Sequence, residues 1–409
     1  DPQYHIITAR AEWSGLAEAG EHLFYLNRLM RLDSVKIGGN PAHYKFDLEG
    51  ESAPFSPVSR RLTVLGSGRQ VEIVYSGCLP DTISMVNMVA PQLVELAMYS
   101  GYYPFNLGEI PLFDYRLEFT IPDSFMVVTS GEETERTTRR GRTTRVIRSS
   151  AAGMDVPVVA SPLLVCQKGG SEKIGVEVYS SAAAGEIAAG KIASLTRAMV
   201  SYEQRFGKSS SSGRLRFVLS PRDGWGYSRL PLAVVSEGRE LRLANEPFGL
   251  QSSLQGAVHE TAHFWWLTAP TTKLDDWINE ALAEYSAFSF MAAEFGPEYR
   301  DHCLCGYLED IRKASTPNSI MTTRMDSPDS YVNKYEKPAV LFYVLSRRAG
   351  QEVVDTFLAA LNTRFKGTRE ATTQAFGDDF VLYWAFLAGA LAIGGRKLIN
   401  PAFDSSKLT

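Results

Sequence analysis

At 409 residues the chain exceeds what one compact core usually holds, so two or three domains are expected. Its composition is that of a soluble globular protein, with 44% hydrophobic, 22% charged and 11% aromatic residues. A net charge of −4 excludes a general polyanion-binding role, and no nucleic-acid partner is expected.

From residue 1 to about 165 the texture is β. Residues 60–75 alternate polar and apolar around Gly66-Ser67-Gly68, and residues 114–131 do so around a Pro-Asp. The basic run 135–145, with Arg and Thr around Gly141, predicts two strand ends joined by a solvated hairpin turn. Residues 21–32, EHLFYLNRLMRL, have helical spacing amid β-rich neighbours and are read as a helix candidate. Short alternating runs with turn residues between them point to an antiparallel sandwich or saddle-shaped sheet.

The texture changes near 165–180. Residues 182–206 are helical in propensity, 208–213 form a loop, and 214–220 and 229–237 read as strands. A proline near the start of the last of these suits a sheet edge. Beyond about 250 the chain is almost wholly helical. Cys78, Cys166, Cys303 and Cys305 are too few and too unevenly spaced for a disulfide framework, and His302, Cys303 and Cys305 are taken as ordinary helical residues. The apolar run 380–395 has sixteen residues, short of the ~18–20 that span a bilayer, so it is expected to be a buried terminal helix.

The stretch 252–267 contains VHETAHFWW and predicts a helix. His259 and His263 then fall one turn apart on one face, so two imidazoles can grip one metal ion, and Glu260 lies beside the first of them. A metal such as zinc lowers the pKa of a bound water toward ~7, and a carboxylate is the natural group to take its proton. A third ligand is required. On the next predicted helix, 274–296, closed by Gly296-Pro297, Glu280 and Glu284 share a face among apolar neighbours. Either can serve; residue chemistry does not choose between them.

H-E-x-x-H followed by Trp277-Ile278-Asn279-Glu280 and, later, by Tyr335-Glu336-Lys337-Pro338-Ala339 resembles the zinc metallopeptidases of the aminopeptidase N and leukotriene-hydrolase type, a gluzincin group. The resemblance implies a multidomain α+β fold: an antiparallel β-saddle or sandwich over 1–168, then a thermolysin-like catalytic domain over 169–409 with a small mixed sheet and a helical half. It implies one zinc ion per chain held by His259, His263 and Glu280, Glu260 as general base, and Tyr335 as donor to the oxyanion. Glu284, Asn279, Asp276 and Asp275 become candidates for orienting the imidazoles, and the substrate is expected to be a peptide or protein.

Two departures from the family pattern bear on specificity. Sixteen residues separate His263 from Glu280 where the family has 18. The family's Gly-x-Met-Glu-Asn segment, whose glutamate binds the substrate's α-amine, is replaced by GWGYSR, placing Tyr227, Ser228 and Arg229 at the substrate-binding strand. Arg229 attracts anions rather than an ammonium. The expected function is therefore an aminopeptidase-like zinc peptidase with altered N-terminus recognition. An endopeptidase of the same fold and a non-catalytic scaffold are the alternatives. The family's exported bacterial members and a first residue of Asp rather than Met point to export rather than the cytoplasm.

Overall fold

A computed structural model describes residues 1–79, 88–106, 112–314, 320, 323 and 327–376. The apolar run 380–395 lies outside them. Among the described residues no helix is long and apolar enough to cross a membrane.

The first 161 residues form small antiparallel sheets. One orders the strands Ile6–Ser14, Gln70–Cys78, Met30–Ile37 and Asn40–Pro41; another orders Ala19–Asn27, Ser56–Ser67 and His43–Phe46. The strands on either side of Gly66-Ser67-Gly68 thus enter different sheets. The basic run is a hairpin of Glu132–Arg139 and Arg142–Arg148, turned by Arg140 and Gly141 at positive φ. Residues 21–32 are not helical. They supply parts of Ala19–Asn27 and Met30–Ile37, because Phe24, Leu26 and Met30 are buried by cross-strand neighbours that propensity ignores.

A five-stranded mixed sheet follows, ordered Val165–Gly170, Gly175–Ser180, Arg214–Ser220, Leu232–Ser236 and Tyr227–Arg229. The strands Val158–Ser161 and Val165–Gly170 thus belong to different sheets. The three central strands are parallel and buried, while the short Tyr227–Arg229 strand is an antiparallel edge. Pro231 sits in the turn between that edge and its neighbour, where its missing N–H costs no ladder bond.

Helices α1 (Gly185–Phe206), α2 (Glu237–Leu243), α3 (Gly249–Ala262), α4 (Trp277–Lys313), α5 (Lys337–Ala349) and α6 (Gln351–Phe365) cover the sheet. In α1 the buried Ala188, Leu195, Ala198, Met199, Tyr202 and Phe206 follow the helical period. Gly296, at φ 81°, breaks α4 into two segments and Pro297 opens the second, as the sequence predicts. A π-helical turn, Val332–Glu336, leads into α5, whose Pro338 occupies the first turn where no N–H is needed.

Candidate metal centre

Helix α3 ends at Ala262, earlier than the expected 267. Phe264 and Trp265 donate back three residues to the carbonyls of Thr261 and Ala262, which tightens the chain into a turn just after the second histidine. The two tryptophans drive this ending. Trp265 packs edge-on against Tyr202 and donates to Gly207 O at 2.6 Å, and Trp266 packs on Phe206 and donates to Ser286 Oγ at 2.8 Å. Both rings are buried, so α3 is locked to α1 and α4 beside the histidines.

His259 and His263 stand with ring centroids 4.9 Å apart and planes at 88°. Glu280 Oε2 lies 3.5 Å from His259 Nε2 and 3.4 Å from His263 Nε2. Ligands 2.0–2.1 Å from a tetrahedral zinc sit about 3.3 Å from one another, so these separations fit such an ion. The ligand atoms of His259, His263 and Glu280 all lie within 4.8 Å of one another. The connection shortened by two residues still presents Glu280, because a 3-10 turn at Leu274–Asp276 delivers the chain into the start of α4.

Glu284 occupies a different position. Its Oε2 meets His259 Nδ1 at 2.7 Å, and its Oε1 accepts from Gln255 at 2.7 Å and from Tyr307. Trp266 O lies 3.3 Å from His263 Nδ1. Both outer nitrogens thus have acceptors, a pattern that turns both Nε2 atoms toward Glu280 and the space between the three ligand atoms. Burial lowers the pKa of His259, but hydrogen bonds to Glu280 and Glu284 outweigh it and hold the group well above its ordinary value. For Glu280 burial raises the pKa, and the two histidines overcome that and lower it. The cluster is a negative pocket suited to a cation.

Three expected imidazole-orienting residues touch no histidine. Asn279 accepts from Thr268 N and Ala269 N, both at 2.9 Å, and donates to Ala269 O; it fixes the loop between the two motif helices. Asp276 receives Asn279 Nδ2 at 3.1 Å and lies 3.7 Å from Lys334 Nζ. Burial, with Glu280 adding repulsion, pushes its pKa up to about 7. Asp275 accepts from Thr373 N at 2.7 Å. All three precede Glu280 in the chain and serve the loop side of α4, whereas Glu284, one turn beyond, meets α3.

The edge strand divides its three residues by face. Ser228 alone points to α3, its one hydroxyl proton shared between Glu260 Oε2 at 2.9 Å and Glu260 O at 2.5 Å. Tyr227 and Arg229 turn toward the N-terminal sheets. Arg229, expected at the substrate, is 7% exposed; its Nε donates to Asp155 Oδ2 at 2.8 Å and its guanidinium lies over Tyr99. Nη1 donates to Ser228 O at 2.7 Å, while Nη2 is buried with no hydrogen-bond partner among the described residues. Gly226 precedes them. A Cβ there would lie 2.6 Å from Glu260 Oε1, so only glycine leaves room for that carboxylate.

Tyr335 stacks on His259 at 5.7 Å and 19°, and Tyr331 stacks on Tyr335 at 4.7 Å. Burial, then the charges of Glu280 and Asp276, raise the Tyr335 pKa well above 10, so its hydroxyl remains a donor. One cleft is lined by Tyr227, Ser228, Arg229, His259, Glu260, His263, Glu280 and Tyr335, so all three residues of the edge strand border it. The tie of Ser228 to Glu260, the Arg229–Asp155 pair and the Trp266 carbonyl are not legible in the sequence, since each joins segments with no shared motif.

No model of a known protein family matches the chain, and no curated protein matches it. Solved structures do. An M1 zinc metallopeptidase from Deinococcus radiodurans superposes with a TM-score of 0.73 at 14% identity, over 98% of this chain and 92% of that one. A variant of it bound to a Tyr-Ser-Ala substrate gives 0.67 at 15% identity, over 91% and 85%. Yeast LTA4 hydrolase gives 0.68 at 14% identity, over 94% of this chain and 63% of its own length. The chain thus has the α+β fold of the M1 zinc metallopeptidases at 14–15% sequence identity.

Proposed function

We propose that this protein is a zinc-dependent metallopeptidase that hydrolyses peptide bonds in the cleft between the edge strand and α3. The observation that carries this reading is the convergence of His259 Nε2, His263 Nε2 and Glu280 Oε2, with acceptors on both outer imidazole nitrogens. The set of two imidazoles and one carboxylate is a zinc set that leaves a coordination position for water or substrate. When bound, such an ion lowers the pKa of water and polarises a carbonyl.

The protein's own groups supply the remaining steps. Glu260, one residue from a ligand and held by Ser228 through Oε2, takes a proton from the attacking water and returns it to the departing amine. Tyr335 donates its hydroxyl proton in a hydrogen bond to the carbonyl oxygen as charge develops there. Gly226 and Ser228 set where the Glu260 carboxylate stands.

Ser228 or Arg229 stands where the resemblance puts a carboxylate on the edge strand, and the Ser228 hydroxyl is used by Glu260. Neither residue is an anion, which favours N-terminus recognition unlike that of an aminopeptidase, so cleavage within a peptide is the second reading. Purified protein should hold one zinc per chain and cleave unblocked peptides. Glu260→Gln should keep the metal and lose turnover. Normal hydrolysis by that variant would refute the base assignment, and equal cleavage of acetylated and free peptides would establish the endopeptidase.

A further inference from the structure

Past Tyr335 the cleft continues along a wall built from the second segment of α4 and the π-helical turn, where Asp310, Tyr331 and Glu336 line it. Glu336 is 5% exposed, and its Oε2 has no hydrogen-bond partner among the described residues. Nearby carboxylates differ in this respect. Glu284 is saturated by His259, Gln255 and Tyr307, and Glu309 is paired with Lys313 at 2.8 Å. Asp310, exposed on the same wall, has no ion pair among the described residues.

A buried carboxylate without a partner is costly, and a fold that keeps one facing a cleft leaves its charge to be met by what enters. Burial chiefly, with repulsion from Asp310 and Glu284, pushes the Glu336 pKa up to about 7. Beside it Tyr331, stacked on Tyr335 by one face, is 56% exposed. That face can carry the alkyl stem of a long cationic side chain, or a cation directly.

We propose that Glu336 and Asp310 form a subsite for a cationic group of the substrate, an ammonium or guanidinium, with Tyr331 as its apolar wall. This substrate class rests on the peptidase reading, but binding can be measured apart from turnover.

Isothermal titration of the zinc-loaded protein above pH 7, where Glu336 ionises, compares three probes. Nα-acetyl-lysine amide carries only a side-chain cation, norleucine amide only an α-ammonium, and Nα-acetyl-norleucine amide neither. At least one cationic probe should bind about tenfold tighter than the neutral one, the scale of one hydrogen bond to a charged group. Which of the two does so identifies the source of the cation. Glu336→Gln should reduce that preference to below about threefold. If it does not fold, Asp310→Asn at its exposed position decides: a weakened preference supports the subsite. Equal binding of all three probes, or an undiminished preference in the variant, would overturn it. Failure of the peptidase reading shows separately, as intact neutral peptides in the presence of normal probe binding.

Discussion

Glu284 Oε2 lies 2.7 Å from Nδ1 of His259, while Glu280 Oε2 lies 3.5 Å from Nε2 of the same ring. Two glutamates one helical turn apart thus address the two nitrogens of one imidazole. The outer contact sets the tautomer and ring orientation, and the inner one completes the ligand set.

Replacing Glu284 by alanine should therefore weaken zinc binding by about 10–100-fold, the usual effect of losing such an outer contact. Competition against a chromogenic chelator measures it. Glu280→Ala should lose the metal more completely. Equal losses in the two variants would mean that the inner and outer assignments are not distinct.

Gly226→Ala places a methyl group 2.6 Å from Glu260 Oε1 and 3.0 Å from Val234 O. The backbone carbonyl cannot yield, so the Glu260 carboxylate must shift. Turnover should fall at least about tenfold with zinc content unchanged, because misplacing a catalytic group by an ångström costs rate steeply. A fully active variant would show that Glu260 acts from another rotamer.

Tyr335→Phe should lower kcat by about 10²–10³ and leave zinc affinity near that of the parent, as expected for loss of one oxyanion donor. Steady-state kinetics with an unblocked peptide, beside metal analysis, separates this from a collapse of the stack with His259.

Asp155 accepts from Arg229 Nε at 2.8 Å, Met98 N at 2.9 Å and Tyr103 at 3.0 Å, all buried. Asp155→Ala strands the guanidinium and should cost about 3–5 kcal/mol in urea denaturation. The double variant Asp155→Leu with Arg229→Met should cost less, since no buried charge is left alone; a larger loss would contradict that account.

Glu336 gives a pH signature with a definite sign. Its folded pKa of about 7 exceeds the ordinary value of 4.5, so the folded state favours the protonated carboxyl. That contribution is complete below 4.5 and is lost as pH rises through 7. Relative to Glu336→Gln, the parent should lose melting temperature between about pH 5 and pH 8. A constant difference would place the carboxyl in a solvated setting.

Much of this organisation is written locally in the chain. H-E-x-x-H on a helix puts His259 and His263 on one face by the period of 3.6 alone, and Gly296-Pro297 ends a helix by backbone chemistry alone. The Arg-Thr hairpin and α1 follow from alternation and propensity in the same way. Tertiary structure decided what depends on distance through space. Glu280 and Glu284 are alike in sequence, and only the packing of α4 on α3 sends one to Nε2 and the other to Nδ1. Residues 21–32 became strands because neighbouring chains bury their apolar side chains, a term no local window contains. Arg229 reads as an anion-attracting group on the substrate-binding strand, and only the fold brings it to Asp155, 74 residues away, whose carboxylate lets it be buried. Periodicity places a residue on its own element; which groups meet across elements is set by packing, and the chemistry of the metal centre lies in those meetings.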